Sequence, residues 1–128
     1  MNQLVFPVLA ALFAVGLAGL GGMVGAPADV DISDAQDFLD FAVVQHNRGS
    51  NDMFLSQVAK VIKVQRQVVS GSLYIITVQM GKTPCRKGSA DEVCAIYQDQ
   101  ASARPYICTF KVWSRPWLND TQLVGETC

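Results

Sequence analysis

From Leu73 to Met80 the chain alternates, with Tyr74, Ile76, Val78 and Met80 on one apolar face. A period of two marks a strand buried on one side. Tyr106, Cys108, Phe110 and Val112 repeat the pattern. Phe54 to Val69 is a longer strand whose alternation slips at Val61-Ile62, where a bulge would restore the phase. Leu118 to Glu126 reads as the last strand, and Pro84 to Arg104 as a polar appendage outside the core. Only one segment changes period. Ala35, Phe38, Leu39, Ala42 and Val43 recur at three and four residues, which predicts a helix over 34–48. Ser33-Asp34-Ala35-Gln36 fits a capping box at its start, and Gly49 fits the residue that follows a helix end. One helix and an antiparallel meander give an α+β domain: a long α-helix packed across a twisted sheet of four to five strands.

The turns are less ordinary than the strands. Within QRQVVSGSLYIITV, Gln65 to Val78, two β-branched runs flank Val69-Ser70-Gly71-Ser72, a hairpin turn. Its tip holds Val68 and Val69, although a turn facing water has no use for two valines. A second turn, Ser114-Arg115-Pro116-Trp117, carries a tryptophan. A third segment, Met23-Val24 before Gly25, lies in Gly19 to Asp31, which is small, polar and expected to be extended and mobile. Strands that simply end, or a Trp folding back, would explain either tip alone. Three apolar segments, each beside a Gly or Pro, form a pattern.

Composition narrows the setting. The first 18 residues carry no charged side chain and end in Gly16-Leu17-Ala18, as a cleavable secretory signal does. Leu4 to Leu20 is barely long enough to span a bilayer and lacks a basic flank. Residues 1–18 are therefore read as a signal peptide, 19–128 as one domain, and the protein as secreted. A net charge of −1 and no basic cluster beyond Arg86-Lys87 offer nothing to nucleic acid or an anionic membrane. The four cysteines, Cys85, Cys94, Cys108 and Cys128, imply two disulfides in an oxidising compartment. Three connectivities are open; nearest-neighbour pairing, 85 with 94 and 108 with 128, is the simplest. Each short loop would then stabilise the fold by roughly 3 kcal/mol. A zinc site lacks both a C-x-x-C and a second histidine, and no cofactor or metal is expected.

With these residues in view, the chain resembles the secreted type 2 cystatins, inhibitors of papain-like cysteine peptidases such as the cathepsins. Gln67-Val68-Val69-Ser70-Gly71 matches that family's Q-x-V-x-G hairpin, Pro116-Trp117 its second-hairpin PW pair, and Gly25 its N-terminal glycine. The resemblance runs from Gly19 to Cys128. It implies a cystatin-like fold and a wedge that enters the peptidase cleft without chemistry. In that wedge Val68, Val69 and Trp117 would be the anchors. Gly71 would keep the first tip narrow, Pro116 would stiffen the second, and Met23 and Val24 would occupy subsites beside Gly25. The protein is expected to be a monomer. Some members present an asparagine after the helix to legumain, which cleaves after that residue, and Ser50-Asn51-Asp52 matches that position, with Asn51 and Asp52 as the contacts. Asn119-Asp120-Thr121 is an N-glycosylation sequon close to the second tip.

Other readings are weaker. An enzyme needs a nucleophile and a base, but His46 is the sole histidine and is expected at the sheet border or surface. Asp37, Asp40, Asp91 and Glu92 read as solvated surface. A cathelin-like carrier or a non-inhibitory binding module would share the fold. A carrier would be expected to continue into a basic segment after Cys128, and neither role requires the hairpin motifs.

Overall fold

The computed structural model describes residues 25–88 and 94–128, so the signal peptide, Met23, Val24, Asp91 and Glu92 lie outside the described residues. Strand β1, Ala28–Asp29, leads through a 3-10 turn at Ile32–Asp34 into helix α1, Gln36–Gly49. Strands β2, Phe54–Val69, and β3, Gly71–Arg86, follow, then the short helix α2, Gln100–Ala103. Strand β4, Tyr106–Arg115, a 3-10 turn at Pro116–Leu118 and strand β5, Asp120–Thr127, complete the order. The five strands form one antiparallel sheet in the order β1-β2-β3-β4-β5. The α+β architecture expected from the sequence, one long helix across an antiparallel sheet, is the one observed.

The core is where the two periods meet. Ala35, Leu39 and Ala42 present one helix face at 0%, 2% and 0% exposure, and the facing alternate positions Ile76, Val78, Met80, Phe110 and Val112 are all at 0%. Phe38 stacks on Tyr74 with ring centroids 4.3 Å apart. At the far end of the helix, His46 Nε2 lies 2.9 Å from the Tyr106 hydroxyl, and Nδ1 pairs with the Glu126 carboxylate. That is the border position expected for this histidine. The slip at Val61-Ile62 is a real irregularity, because the β2–β3 register shifts between Val61 and Lys63 and again between Val58 and Lys60. Disulfides join Cys85 to Cys94 and Cys108 to Cys128. His46 lies within 4.8 Å of both Cys108 and Cys128 sulfurs, but those sulfurs are bonded to each other.

Four local expectations are corrected. The capping box does not form: Asp31 caps the 3-10 turn by accepting from Ser33 N at 3.0 Å, and buried Ala35 stands at the N-cap of α1. Gln36 turns instead to Asp40, its Nε2 donating at 2.9 Å. Gly49 is the last helical residue, and Ser50 ends the helix in extended geometry (φ −80°, ψ 149°) with no left-handed cap. The described part of the segment before the helix is tied down, with Val30 N donating to Val64 O at 3.0 Å and Ala28 and Asp29 paired to β2. Finally, β3 runs to Arg86, and the segment read as an appendage folds back upon it. Cys85 and Ala103 are buried, Tyr97 N donates to Lys82 O at 3.1 Å, and Ile96 packs against Gly81. A glycine in mid-strand hid that continuation.

Leu39→Ala should destabilise the domain by about 2–5 kcal/mol, since it opens a cavity at the helix–sheet seam. Urea unfolding with both disulfides intact measures it. A loss well under 1 kcal/mol would mean that this seam is not the core.

Candidate functional site

Local geometry gathers three segments at one end of the sheet. Strands β2 and β3 meet in a tight turn, with Val69 opposite Gly71 and only Ser70 between them. Gly71 has φ +93°, and a Cβ on it would stand 2.3 Å from the Ser114 carbonyl oxygen. Glycine is therefore required twice, by the backbone angle and by the second hairpin lying against it. Trp113 completes the junction: its indole Nε1 donates to Ser70 O at 2.8 Å. The N-terminal segment joins from the other side, where Gly25 N donates to Val68 O at 2.7 Å.

The second tip is a short 3-10 turn with Pro116 at its start and Asn119 closing it in left-handed geometry, φ +50°. Arg115 braces it. Its guanidinium lies 4.2 Å over the Trp113 ring and donates through Nε to Asp120 Oδ2 at 3.0 Å. That guanidinium holds the Asp120 carboxyl below the ordinary aspartate range, with Gln122 assisting. Around this frame the tips stay uncovered: Val68 is 52% exposed, Trp117 62% and Leu118 56%. Gln67 and Val69 are half-buried, and Ser70 and Pro116 exposed. Thus Gly25, Gln67, Val68, Val69, Ser70, Gly71, Pro116 and Trp117 belong to one end of the molecule. Sequence reasoning missed Trp113, Ser114 and Arg115, which hold the tips, and Leu118, which widens the apolar surface. Trp113 lies opposite Leu73 in the β3–β4 register, a placement that the strand pattern alone does not give.

The loop after α1 lies at the other end of β2. Asp52 accepts from Phe54 N at 3.0 Å and from Lys82 Nζ at 2.7 Å, and its own N–H donates to Ser50 Oγ at 3.0 Å. The Lys82 contact, then the Phe54 N–H, keeps its carboxyl below the usual range. Asn47 bonds both polar groups of the Ser56 backbone, at 3.1 and 2.9 Å. Asn51 is left as the exposed apex of a braced loop. The 16 residues of β2, about 50 Å of strand, separate this loop from the first tip.

Comparison with known proteins agrees with this architecture. A family model described as a cystatin domain matches residues 25–117. The chain is 68% identical over 129 residues to Cystatin-C of Paralichthys olivaceus, with 100% of each covered. To Cystatin of Gallus gallus it is 42% identical over 127 residues, 93% of this chain and 91% of the other. Among solved structures, that of Al-CPI superposes with a TM-score of 0.69 at 26% identity, covering 80% of this chain and 98% of that one. Dimeric human cystatin F gives 0.67 at 24% identity over 81% and 86%, a likeness of fold.

The Arg115–Asp120 brace has a pH signature. A depressed carboxyl contributes stability above its unfolded value of 3.8 and loses that contribution as pH falls through its folded value. Asp120→Asn should therefore lower the melting temperature near neutral pH, and the difference should shrink below about pH 4. A deficit that persists unchanged in acid would assign the effect to packing instead.

Proposed function

This chain belongs to the cystatin family, whose members inhibit cysteine peptidases and are not enzymes; from that premise we propose a reversible, non-covalent inhibitor of papain-like peptidases, the cathepsins among them. Its N-terminal segment and two hairpin tips would enter the active-site cleft together. The observation that carries the proposal is the joining of these segments through Gly25 N to Val68 O and Trp113 Nε1 to Ser70 O. A peptidase cleft is mostly apolar with few polar groups. Val68, Val69 and Trp117 suit it as anchors, with Leu118 beside them and Trp117 the expected hot spot. Pro116 and the Arg115 brace limit the freedom of the second tip, lowering the ordering cost on association. Met23 and Val24 would fill subsites on the N-terminal side, with Gly25 letting the chain turn away from the catalytic cysteine.

Residues 1–18 are proposed as a signal peptide of a secreted monomer, and two disulfides suit the oxidising compartments of that route. A glycan on Asn119, which is exposed two residues beyond Trp117, would crowd the second tip. Unhindered inhibition requires that sequon to be unoccupied or its glycan to point aside.

Removing residues before Ala26 should weaken inhibition of narrow-cleft cathepsins substantially and leave the fold intact. Trp117→Ala should raise the papain inhibition constant about thirtyfold, equivalent to about 2 kcal/mol. Unchanged constants in both variants would refute the wedge.

The exposed Asn51 supports a second reading, a legumain-binding loop with Asp52 holding it in shape. Asn51→Lys should abolish legumain inhibition while papain inhibition stays the same. An unmodified protein that fails to inhibit legumain would return the loop to a simple turn.

A further inference from the structure

At the border of the core, helix α1 flanks an open apolar groove. Leu39, Val43 and Val44 on the helix face Leu55, Val58 and Val61 on β2 across a groove of about 600 Å³, within the range of small-molecule sites. Val44 remains 46% exposed on its wall. The groove stays open because the segment holding β1 bonds β2 only from Val64 to Val68 among the described residues. Among the described residues, β3 flanks the half of β2 running from Phe54 to Lys63 on one side, and no strand pairs with its other edge.

The groove has a polarity. Arg48 and Lys87 line the end nearest the helix C-terminus, whereas Gln36 and Asp40 belong to the first turns of the helix. Among the described residues neither cation is paired with a carboxylate. Lys87 Nζ donates to the neutral Ser50 carbonyl at 2.6 Å, and the nearby Asp52 is engaged by Lys82. Carbonyls at a helix C-terminus amount to about half a negative charge, less than the two full positive charges beside them. Asp40 would repel an anion from the opposite end.

Two occupants fit an apolar channel beside a strand edge, a peptide strand or an alkyl chain. The register shifts at Val58/Lys60 and Val61/Lys63 interrupt the even ladder that an added strand needs. An alkyl chain has no such requirement. From Gln36 to Arg48 the helix rises about 18 Å, the extended length of about 14 carbons joined by bonds of about 1.5 Å. We propose that this groove binds a fatty-acid anion, its chain lying between α1 and β2 and its carboxylate at Arg48 and Lys87.

Calorimetric titration of the protein with octanoate, laurate and myristate, below their micellar concentrations, tests this. Affinity should rise about two- to fourfold per added methylene, and laurate should bind about tenfold more tightly than dodecanol. Arg48→Gln should bring laurate closer to the affinity of the alcohol, with Lys87 keeping part of the difference, and Val44→Asp should remove binding. Both residues are exposed, so melting temperature and papain inhibition should match the unmodified protein. No dependence on chain length, laurate no better than dodecanol, or unchanged binding in both variants would overturn the proposal. So would a ligand-free dimer that Val44→Asp dissociates, because a second copy would then cover the groove. Papain inhibition read on the same samples separates a failure of the groove from a failure of the wedge.

Discussion

Between Gly71 and the Ser114 carbonyl there is no room for a side chain, and the backbone of Gly71 turns through a positive φ at the same point. These two demands meet at the residue where the first hairpin reverses. Because the approach is so close, the Trp113 indole reaches the Ser70 carbonyl and the second hairpin stays in register beside the first. On the other side Gly25 bonds to Val68. The whole apolar end of the sheet therefore rests on one residue lacking a Cβ.

That end is an energetic concession. Leaving a large apolar side chain in water forgoes roughly 1.5–3 kcal/mol, and Val68, Trp117 and Leu118 are all more than half exposed. Against a typical domain stability of 5–15 kcal/mol, such a concession is large. The opposing contributions lie away from the tips, in the fully buried Ile76, Val78, Met80 and Phe110 and in two disulfides. Rigidity there has a use at the tips. An anchor already held by its neighbours loses little freedom on docking, where each mobile side chain would cost about 0.5–1.5 kcal/mol.

Much of this was legible in the sequence because burial imposes a period. The face Tyr74–Met80, the face Tyr106–Val112, the helix stripe and the bulge at Val61-Ile62 all follow from alternation and its single slip. Both turns were visible through Gly71 and Pro116. Features that depend on contact across the chain were not. Ser33 has capping chemistry, yet Ala35 must be buried, so the helix begins later and Asp31 takes the capping role one turn earlier. Gly81 looked like the end of a strand, although its missing Cβ makes space for Ile96. Trp113 read as an ordinary strand residue, since only pairing with β3 brings its indole under Ser70.

The strand order has a kinetic side. Every long strand pairs with the next along the chain, so the sheet can grow by successive local closures rather than by a distant search. The tight β2–β3 turn needs almost no loop closure, which makes that hairpin the cheapest nucleus. The widest gap separates β3 from β4, and the Cys85–Cys94 bridge roughly halves it. Loop entropy changes by only about 0.6 kcal/mol per doubling, less than a threefold effect on a closure rate. For assembly, then, the bridge is a minor accelerator beside the long β2–β3 hairpin, whose turn carries the first tip.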